Sequence, residues 1–489
     1  MRVCLIYPNL DGDLAPNLGL AYVLSSIEKQ HNARLIDITF HVKDYASYVL
    51  DNLREFNPDV VGFSVTSFSF HHALKIASII REAYPGVPLV YGGVHPTLLP
   101  EETLLNPLVD AVCIGEGEDS FKEYLKSLEA GQEPKGVAGI WYKDKTGIVT
   151  RNSLRPFRED LDSLPFPDWD HWDIDRYLKS NLYFVGGIGH ILSRGCPYSC
   201  TFCSSPAVRR AIPGKFYRTR SPENVIEEIK LNKTKYARRG FMSVAFGDAT
   251  FGLDMKLFEK FCKLYIKESL HVEFPWICQT RADLVTEEWA HLAAGAGCCM
   301  VILGIESGDD YIRTKVFRKE ITREDILNAV RRLKKNDIMY VINIILGCPE
   351  ETTQSVNNTI NLLKTTDPIY TFFSFYQPLP KTELGEIVKK SVIVDEDKLT
   401  KTWNTPRIAI KYIKILKLKI LMLRIRIPNL YRFLIVGLKM EGARFIINGI
   451  RHMFSKEDRR KLSLFNPLEQ GILRNYIFYR WKKSHFKKN

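Results

Sequence analysis

Short apolar runs alternate with amphipathic stretches along most of the chain, and the alternation is interrupted once and then stops. Val3 to Tyr7, Ala33 to Asp37, Val60 to Val65, Leu89 to Gly92 and Ala111 to Ile114 are apolar runs, each followed by a polar or amphipathic segment. That pattern predicts buried strands separated by helices, a doubly wound α/β sheet. A Pro-rich, acidic connector, Arg155 to Asp175, follows and predicts a linker packed along the second domain. The alternation resumes with six strand candidates: His190 to Ser193, Met242 to Phe246, Phe274 to Gln279, Met300 to Gly304, Tyr340 to Leu346 and Thr371 to Tyr376. Ser221-Pro222 offers a helix cap with a first-turn proline. Six βα units predict a partial (β/α)6 barrel of the TIM type. The expected organisation is a doubly wound domain at 1–150, a linker at 151–184, the barrel at 185–385, and a mostly helical, basic C-terminal region at 386–489.

Composition adds three constraints. At 489 residues, 45% hydrophobic and 26% charged, the chain reads as a soluble protein, and it exceeds the roughly 250 to 300 residues at which one core stops growing. The opening Met1 to Pro8 is too short an apolar run for a signal peptide, so a cytoplasmic location is expected. Ten cysteines are too sparse for a disulfide framework and, kept reduced, are free to bind metal. The net charge of +13 is uneven: from Lys401 to Asn489 there are about 22 basic against about 4 acidic residues, which puts the tail near +18 and the rest near −5. Ile408 to Ile427 mixes aliphatic residues with Lys411, Lys414, Lys417, Lys419, Arg424 and Arg426. That density of charge excludes a spanning helix and leaves two readings. One is an interfacial helix at the inner membrane face or on a lipid-like substrate; the other is a cap on the barrel whose lysines reach water. The tail lacks a nucleic-acid module, so no nucleic-acid partner is expected.

The sharpest chemical signal is Ser193-Arg194-Gly195-Cys196-Pro197-Tyr198-Ser199-Cys200-Thr201-Phe202-Cys203. Three thiols in a tight loop after a strand point to one metal centre. Structural zinc wants four ligands, commonly in paired C-x2-C units, and no second pair exists here. Three thiolates on a four-iron cluster leave one iron open to chelate a small molecule. Cys4, Cys113, Cys262, Cys278, Cys298, Cys299 and Cys348 show no compact ligand spacing and read as core residues. Earlier in the chain Ser64, Thr66, Gly92, Gly93 and Gly115-Glu116-Gly117-Glu118 fall at the carboxyl ends of predicted strands, where doubly wound sheets bind ligands. Taken alone, those glycines read equally well as turn residues.

The cysteine spacing, with an aromatic residue before the last thiol and six βα units around it, resembles the radical S-adenosylmethionine superfamily over roughly residues 185 to 385. The resemblance implies that Cys196, Cys200 and Cys203 hold a [4Fe-4S] cluster whose open iron binds the methionine moiety, and that electron transfer yields a 5′-deoxyadenosyl radical. It further implies S-adenosylmethionine contacts from Phe202, from Gly247 and Asp248 after the second strand, from Arg281 after the third, and from Glu306 and Ser307 after the fourth. A guanidinium suits a carboxylate and a glutamate suits ribose hydroxyls; structural ion pairs at the barrel mouth are the alternative reading. The segment Leu346-Gly347-Cys348-Pro349-Glu350-Glu351-Thr352 resembles the family's glycine-containing turn near the adenine.

Pro16-Asn17-Leu18-Gly19-Leu20, Tyr91-Gly92-Gly93-Val94-His95-Pro96-Thr97 and Ile114-Gly115-Glu116-Gly117-Glu118 precede the cysteine loop. Together they resemble the Rossmann-like cobalamin-binding domain found ahead of the cluster in class B radical methylases. Cobalamin contacts are then implied for Ser64, Thr66, Gly92, Gly93, His95, Gly115 and Glu116. The Asp-x-His-x-x-Gly motif is absent from the first 150 residues, which predicts cobalt without a histidine on its lower face. The resemblance implies a methyltransferase acting on an unactivated carbon or phosphorus of a small-molecule or lipid-like substrate, served by a flavodoxin- or ferredoxin-type electron donor. A radical rearrangement or ring-forming enzyme of the same architecture is the enzymatic alternative, and a cobalamin or redox sensor the non-enzymatic one. The substrate and the catalytic residues carry no readable motif.

Overall fold

The computed structural model describes residues 1–11, 14–180 and 187–391. Most of the C-terminal region expected at 386–489, including Ile408 to Ile427, lies outside the described residues.

The first sheet has seven strands: β1 (Arg2–Tyr7), β2 (Asn32–Asp37), β3 (Val60–Ser64), β4 (Leu89–Gly92), β5 (Ala111–Cys113), β6 (Ile140–Lys143) and β7 (Val149–Arg151). They lie in the order β2-β1-β3-β4-β5-β6-β7. The first five are parallel, and β6 and β7 add an antiparallel hairpin at one edge. The hairpin was not expected from the sequence: Ile140–Lys143 is four residues long and Val149–Arg151 three, too short for either to carry a readable period. The chain leaves β1 to form β2 on one side and returns to form β3 on the other. The carboxyl ends of β1 and β3 therefore border the crevice where such sheets take ligands.

The second sheet is made of β8 (Gly187–His190), β11 (Ser243–Phe246), β12 (Trp276–Thr280), β13 (Cys298–Glu306), β14 (Met339–Leu346) and β15 (Tyr370–Phe375). All neighbours are parallel and in sequential order, with β8 and β15 at the two edges, so the barrel is open. Its first strand ends, rather than begins, at His190; Gly187 and Gly189 deprive the true strand of an apolar signal. Beyond it Ser193–Arg194 (β9) turns away to pair antiparallel with Arg218–Thr219 (β10). The helix Pro222–Tyr236 is capped as its sequence implies, Ser221 accepting from the Asn224 amide with proline in the first turn.

The connector packs against both domains. Asp168 N donates to Ser25 at 2.9 Å, Trp169 N to the Tyr236 hydroxyl at 3.2 Å, and the Tyr177 hydroxyl to Asp37 at 2.7 Å. Trp169, Trp172 and Tyr177 belong to one apolar cluster that runs from Val3 and Leu20 of the first domain to Ile188 and Val244 of the barrel. Arg220, almost fully buried, is paired with Glu228 and donates to the Tyr22 hydroxyl of the first domain at 3.1 Å. Removing one partner of a buried pair strands the other charge in a low-dielectric interior. Glu228→Ala should therefore lower the urea unfolding midpoint by the equivalent of about 3 to 5 kcal/mol.

Candidate active site

Cys196, Cys200 and Cys203 are the only partly exposed cysteines among the described residues; the other seven are buried. Packing thus separates the loop thiols from the core thiols. The loop is pinned in place at its centre: Thr201 N donates to Phe317 O at 3.1 Å, Thr201 Oγ1 to Val316 O at 2.6 Å, and Leu384 N to Thr201 O at 3.0 Å. Cys203 caps the following helix Ser204–Ala211, accepting from the Ser205 amide at 3.5 Å. Cys196 Sγ lies 3.7 Å from Thr250 Oγ1, beyond the second barrel strand. Among the described residues no three His, Cys, Asp or Glu side chains converge as ligands of one metal ion would. Thiolates carried by three different irons of a cube stand farther apart than ligands of one ion. Burial pushes the Cys200 thiol up to about 11 while the nearby Lys319 charge acts against it, so iron binding must displace protons.

Around this loop the strand ends bring together the other expected residues, most of them already engaged. Asp248, buried, accepts from Leu192 N at 3.0 Å and from the Ser193 hydroxyl. Burial pushes its carboxyl up to about 6 despite these bonds. Arg281 donates to Asp283 at 2.9 and 3.0 Å and stacks 3.6 Å from the centre of the Tyr198 ring. Glu306 accepts from Lys319 at 2.8 Å. A Cβ on Gly304 would come within 2.5 Å of the Glu306 carboxylate and 2.7 Å of the Lys319 ammonium, so a side chain there would displace the ends of this pair. Ser307 Oγ accepts from Asp309 N at 3.2 Å. Phe202 packs edge-on to Phe317 at 4.9 Å, against the cluster that contains Cys348. In the turn after β14, Glu351 is buried, accepts from Gly347 N, and is pushed up to about 8 by burial.

The second feature is a cavity of about 400 Å³ at the switch point of the first sheet. Ser64, Gly92, Gly93, Gly115 and Glu116 line it, as do Leu5, Gly62, Gly117, Glu118 and Phe121. Thr66 and His95 do not line it. His95 stacks on Phe70 and bonds Ser67 at 3.1 Å, and burial pushes its imidazole down to about 4. Gly93, at φ +97°, lies where a Cβ would meet Val65 O at 2.5 Å, so its turn folds tightly onto the exit of β3. Three barrel residues, Ile191, Arg194 and Gly247, complete the wall. Sequence reasoning missed Arg194 and Tyr22: an arginine before a cysteine loop and a tyrosine in an apolar helix carry no signal until the domains are docked.

Asp248 generates a pH-dependent expectation. Its folded pKa stands above the ordinary 3.8, so folding disfavours its charged form, and the stability present below about 4 is lost as pH rises through about 6. Asp248→Asn keeps the shape and removes the titration. The melting temperature of wild type relative to this variant should fall between pH 4 and 7, by the equivalent of about 2 to 3 kcal/mol. A constant difference across that range would contradict the burial of an ionisable carboxyl.

Comparison with known proteins agrees with this arrangement. Residues 10–125 match the B12 binding domain model and residues 190–363 the Radical SAM superfamily model. An uncharacterized methyltransferase of Pyrococcus horikoshii is 32% identical over 418 residues, 83% of this chain and 86% of that one. The anaerobic magnesium-protoporphyrin IX monomethyl ester cyclase of Cereibacter sphaeroides is 28% identical over 410 residues, 81% of this chain and 64% of that one. The radical S-adenosylmethionine methyltransferase TsrM from Kitasatospora setae, solved with cobalamin and a [4Fe-4S] cluster, superposes with a TM-score of 0.65 at 20% identity, over 80% of this chain and 78% of that one. With a B12-binding domain followed by a radical S-adenosylmethionine domain, and with a relative matched along most of its length, the chain belongs to the B12-binding radical S-adenosylmethionine family.

Proposed function

We propose that the protein is a cobalamin-dependent radical S-adenosylmethionine methyltransferase acting on a small-molecule substrate at the barrel mouth. The observation that carries the reading is the wall common to the two candidate sites: Arg194 and Gly247 line the cavity, and they stand two residues before Cys196 and three before Thr250, whose hydroxyl neighbours the Cys196 thiol. A methyl group and a substrate radical must meet within bonding distance, so the two cofactors must be neighbours.

Both groups fit the residues present. Three partly exposed thiols on a pinned loop suit a cluster with one open iron. The cavity, with glycines at the exits of β4, β5 and β11, lets a bulky ligand approach the backbone, and no histidine is among the described residues that line it. When bound, the cluster supplies an electron and an open coordination position, and cobalamin supplies a transferable methyl group.

The chain's own residues bind and orient. Phe202 and the Gly347 turn offer an apolar, backbone-lined surface for a purine, and Glu306, oriented by Lys319, presents a carboxylate for ribose hydroxyls. Arg281, fixed by Asp283 and Tyr198, presents a cation toward a carboxylate. Asp248 acts through its hold on Leu192 and Ser193, which leaves the backbone at Gly247 to face the methionine amine. An external flavodoxin- or ferredoxin-type protein supplies the electron.

Radical ring formation without methyl transfer is the second reading, favoured by the similarity to a protein named as a cyclase. The products of S-adenosylmethionine separate the two. Methyl transfer yields both S-adenosylhomocysteine and 5′-deoxyadenosine in the anaerobic, reduced reaction, whereas ring formation alone yields 5′-deoxyadenosine without S-adenosylhomocysteine. Cys200→Ala should fold yet lose iron and bring 5′-deoxyadenosine to background, because two thiolates cannot secure the cluster; iron and turnover at wild-type levels would sink the assignment. The Co(II) form should show no protein-nitrogen splitting by electron paramagnetic resonance that a His71, His72 or His95 variant abolishes.

A further inference from the structure

The segment that carries Cys196 is gripped from the first domain. Arg194 donates to Glu116 Oε1 at 3.0 Å and is paired with Glu118 Oε1 at 2.7 Å, and its guanidinium lies 4.8 Å over the Tyr22 ring. All three partners line the cavity, as Arg194 itself does. Arg218 holds the same Glu116 carboxylate from the other side at 2.7 and 3.0 Å. Burial opposes the charge on Glu116, but the Arg218 hydrogen bond and the two guanidinium charges keep its carboxyl below the ordinary range. These groups are largely buried, so the attraction between them is little screened by water.

A displacement of Arg194 has nowhere to dissipate before it reaches the thiol. Arg194 is paired with Arg218 in the short β9–β10 ladder. Just upstream, Leu192 and Ser193 are held by Asp248. Downstream, Gly195 takes φ +84° with the place a Cβ would fill only 2.2 Å from Phe216 O. Only glycine fits that turn, which lies close against the Phe216 backbone. From Leu192 to Gly195 every residue is restrained by a hydrogen bond, the β9–β10 ladder or this close approach, and the Arg194 guanidinium extends from the middle of that segment.

We propose that Arg194 is a positioning residue that couples occupancy of the cavity to the geometry of the iron-binding loop. A corrinoid seated in the cavity restrains Glu116, Glu118 and Tyr22; these restrain Arg194, and Arg194 holds the backbone that presents Cys196. The inference rests on the functional reading above, which supplies the ligand class. A merely structural ion pair would stabilise the fold equally with the cavity filled or empty. Coupling makes the effect depend on occupancy.

The test uses the full-length, cluster-loaded protein under anaerobic conditions and follows iron transfer to a ferrous chelator, with and without saturating hydroxocobalamin. In wild type, bound hydroxocobalamin should slow iron loss by about 5-fold or more. Arg194→Gln, compared with wild type at matched hydroxocobalamin occupancy, set by its visible spectrum, and matched iron content, should lose iron at one rate in both conditions. Arg194→Lys, which keeps the charge but not the two-pronged fork, should recover part of the protection. Full protection in Arg194→Gln, or a wild type that binds both and shows none, overturns the proposal alone. A wild type that takes up no hydroxocobalamin or no iron overturns the functional reading instead. Should Arg194→Gln fail to load iron, Glu118→Gln removes one arm of the grip from the far side, and wild-type protection in that variant also overturns the coupling.

Discussion

The organisation of this protein depends on a buried ionic junction where the two domains meet. Arg194 and Arg218, from the barrel's entry segment, converge on Glu116 of the first domain, and Arg194 reaches Glu118 as well. Arg158 of the connector extends the junction, donating its backbone amide to Glu116 and its side chain to Asp119. Taking so many charges from water costs several kcal/mol per ion and is tolerated only with close pairing and satisfied hydrogen bonds. The geometry supplies close pairing at every carboxylate of the junction, while Arg158 Nε is buried without a hydrogen-bond partner. An apolar contact could hold two domains together as firmly, but it could slide; crossed guanidinium–carboxylate bonds fix register as well as proximity. Register is what adjacent cofactor sites require.

Much of this was legible in the sequence, and the rest was hidden for physical reasons. All five parallel strands of the first sheet and five of the six barrel strands were readable because fully buried parallel strands make unbroken apolar runs. The first barrel strand was misplaced since Gly187 and Gly189 interrupt its run. The β6–β7 hairpin escaped notice because its strands are only four and three residues long, too short to show a period, and the edge strand β7 is Val-Thr-Arg. The cysteine loop declared itself by spacing alone, because three thiols within eight residues have few other uses.

The candidate contacts divide along the same line. Glycines at strand ends could be placed from local pattern, and Ser64, Gly92, Gly93, Gly115 and Glu116 do border the cavity. His95 looked equally well placed, yet the short helix Val94–Leu98 turns its ring onto Phe70, away from the opening. Arg281 and Glu306 were expected to face a ligand, and the structure gives each an ionic partner, Asp283 and Lys319. Each pair holds its side chain in one orientation, and a side chain already ordered costs less to engage than a mobile one. Arg194 and Tyr22 could not have been chosen from the sequence, because their significance lies wholly in docking.

One chain is expected to hold an iron–sulfur cluster and a corrinoid in adjoining sites. Metal analysis of the anaerobically purified, full-length protein tests it most directly. About four irons per chain are expected on the three cysteines, one iron keeping the open position that a fully thiolate-bound cluster lacks, together with stoichiometric cobalt. Zinc in place of iron, or iron without any capacity to take up cobalt, would contradict it.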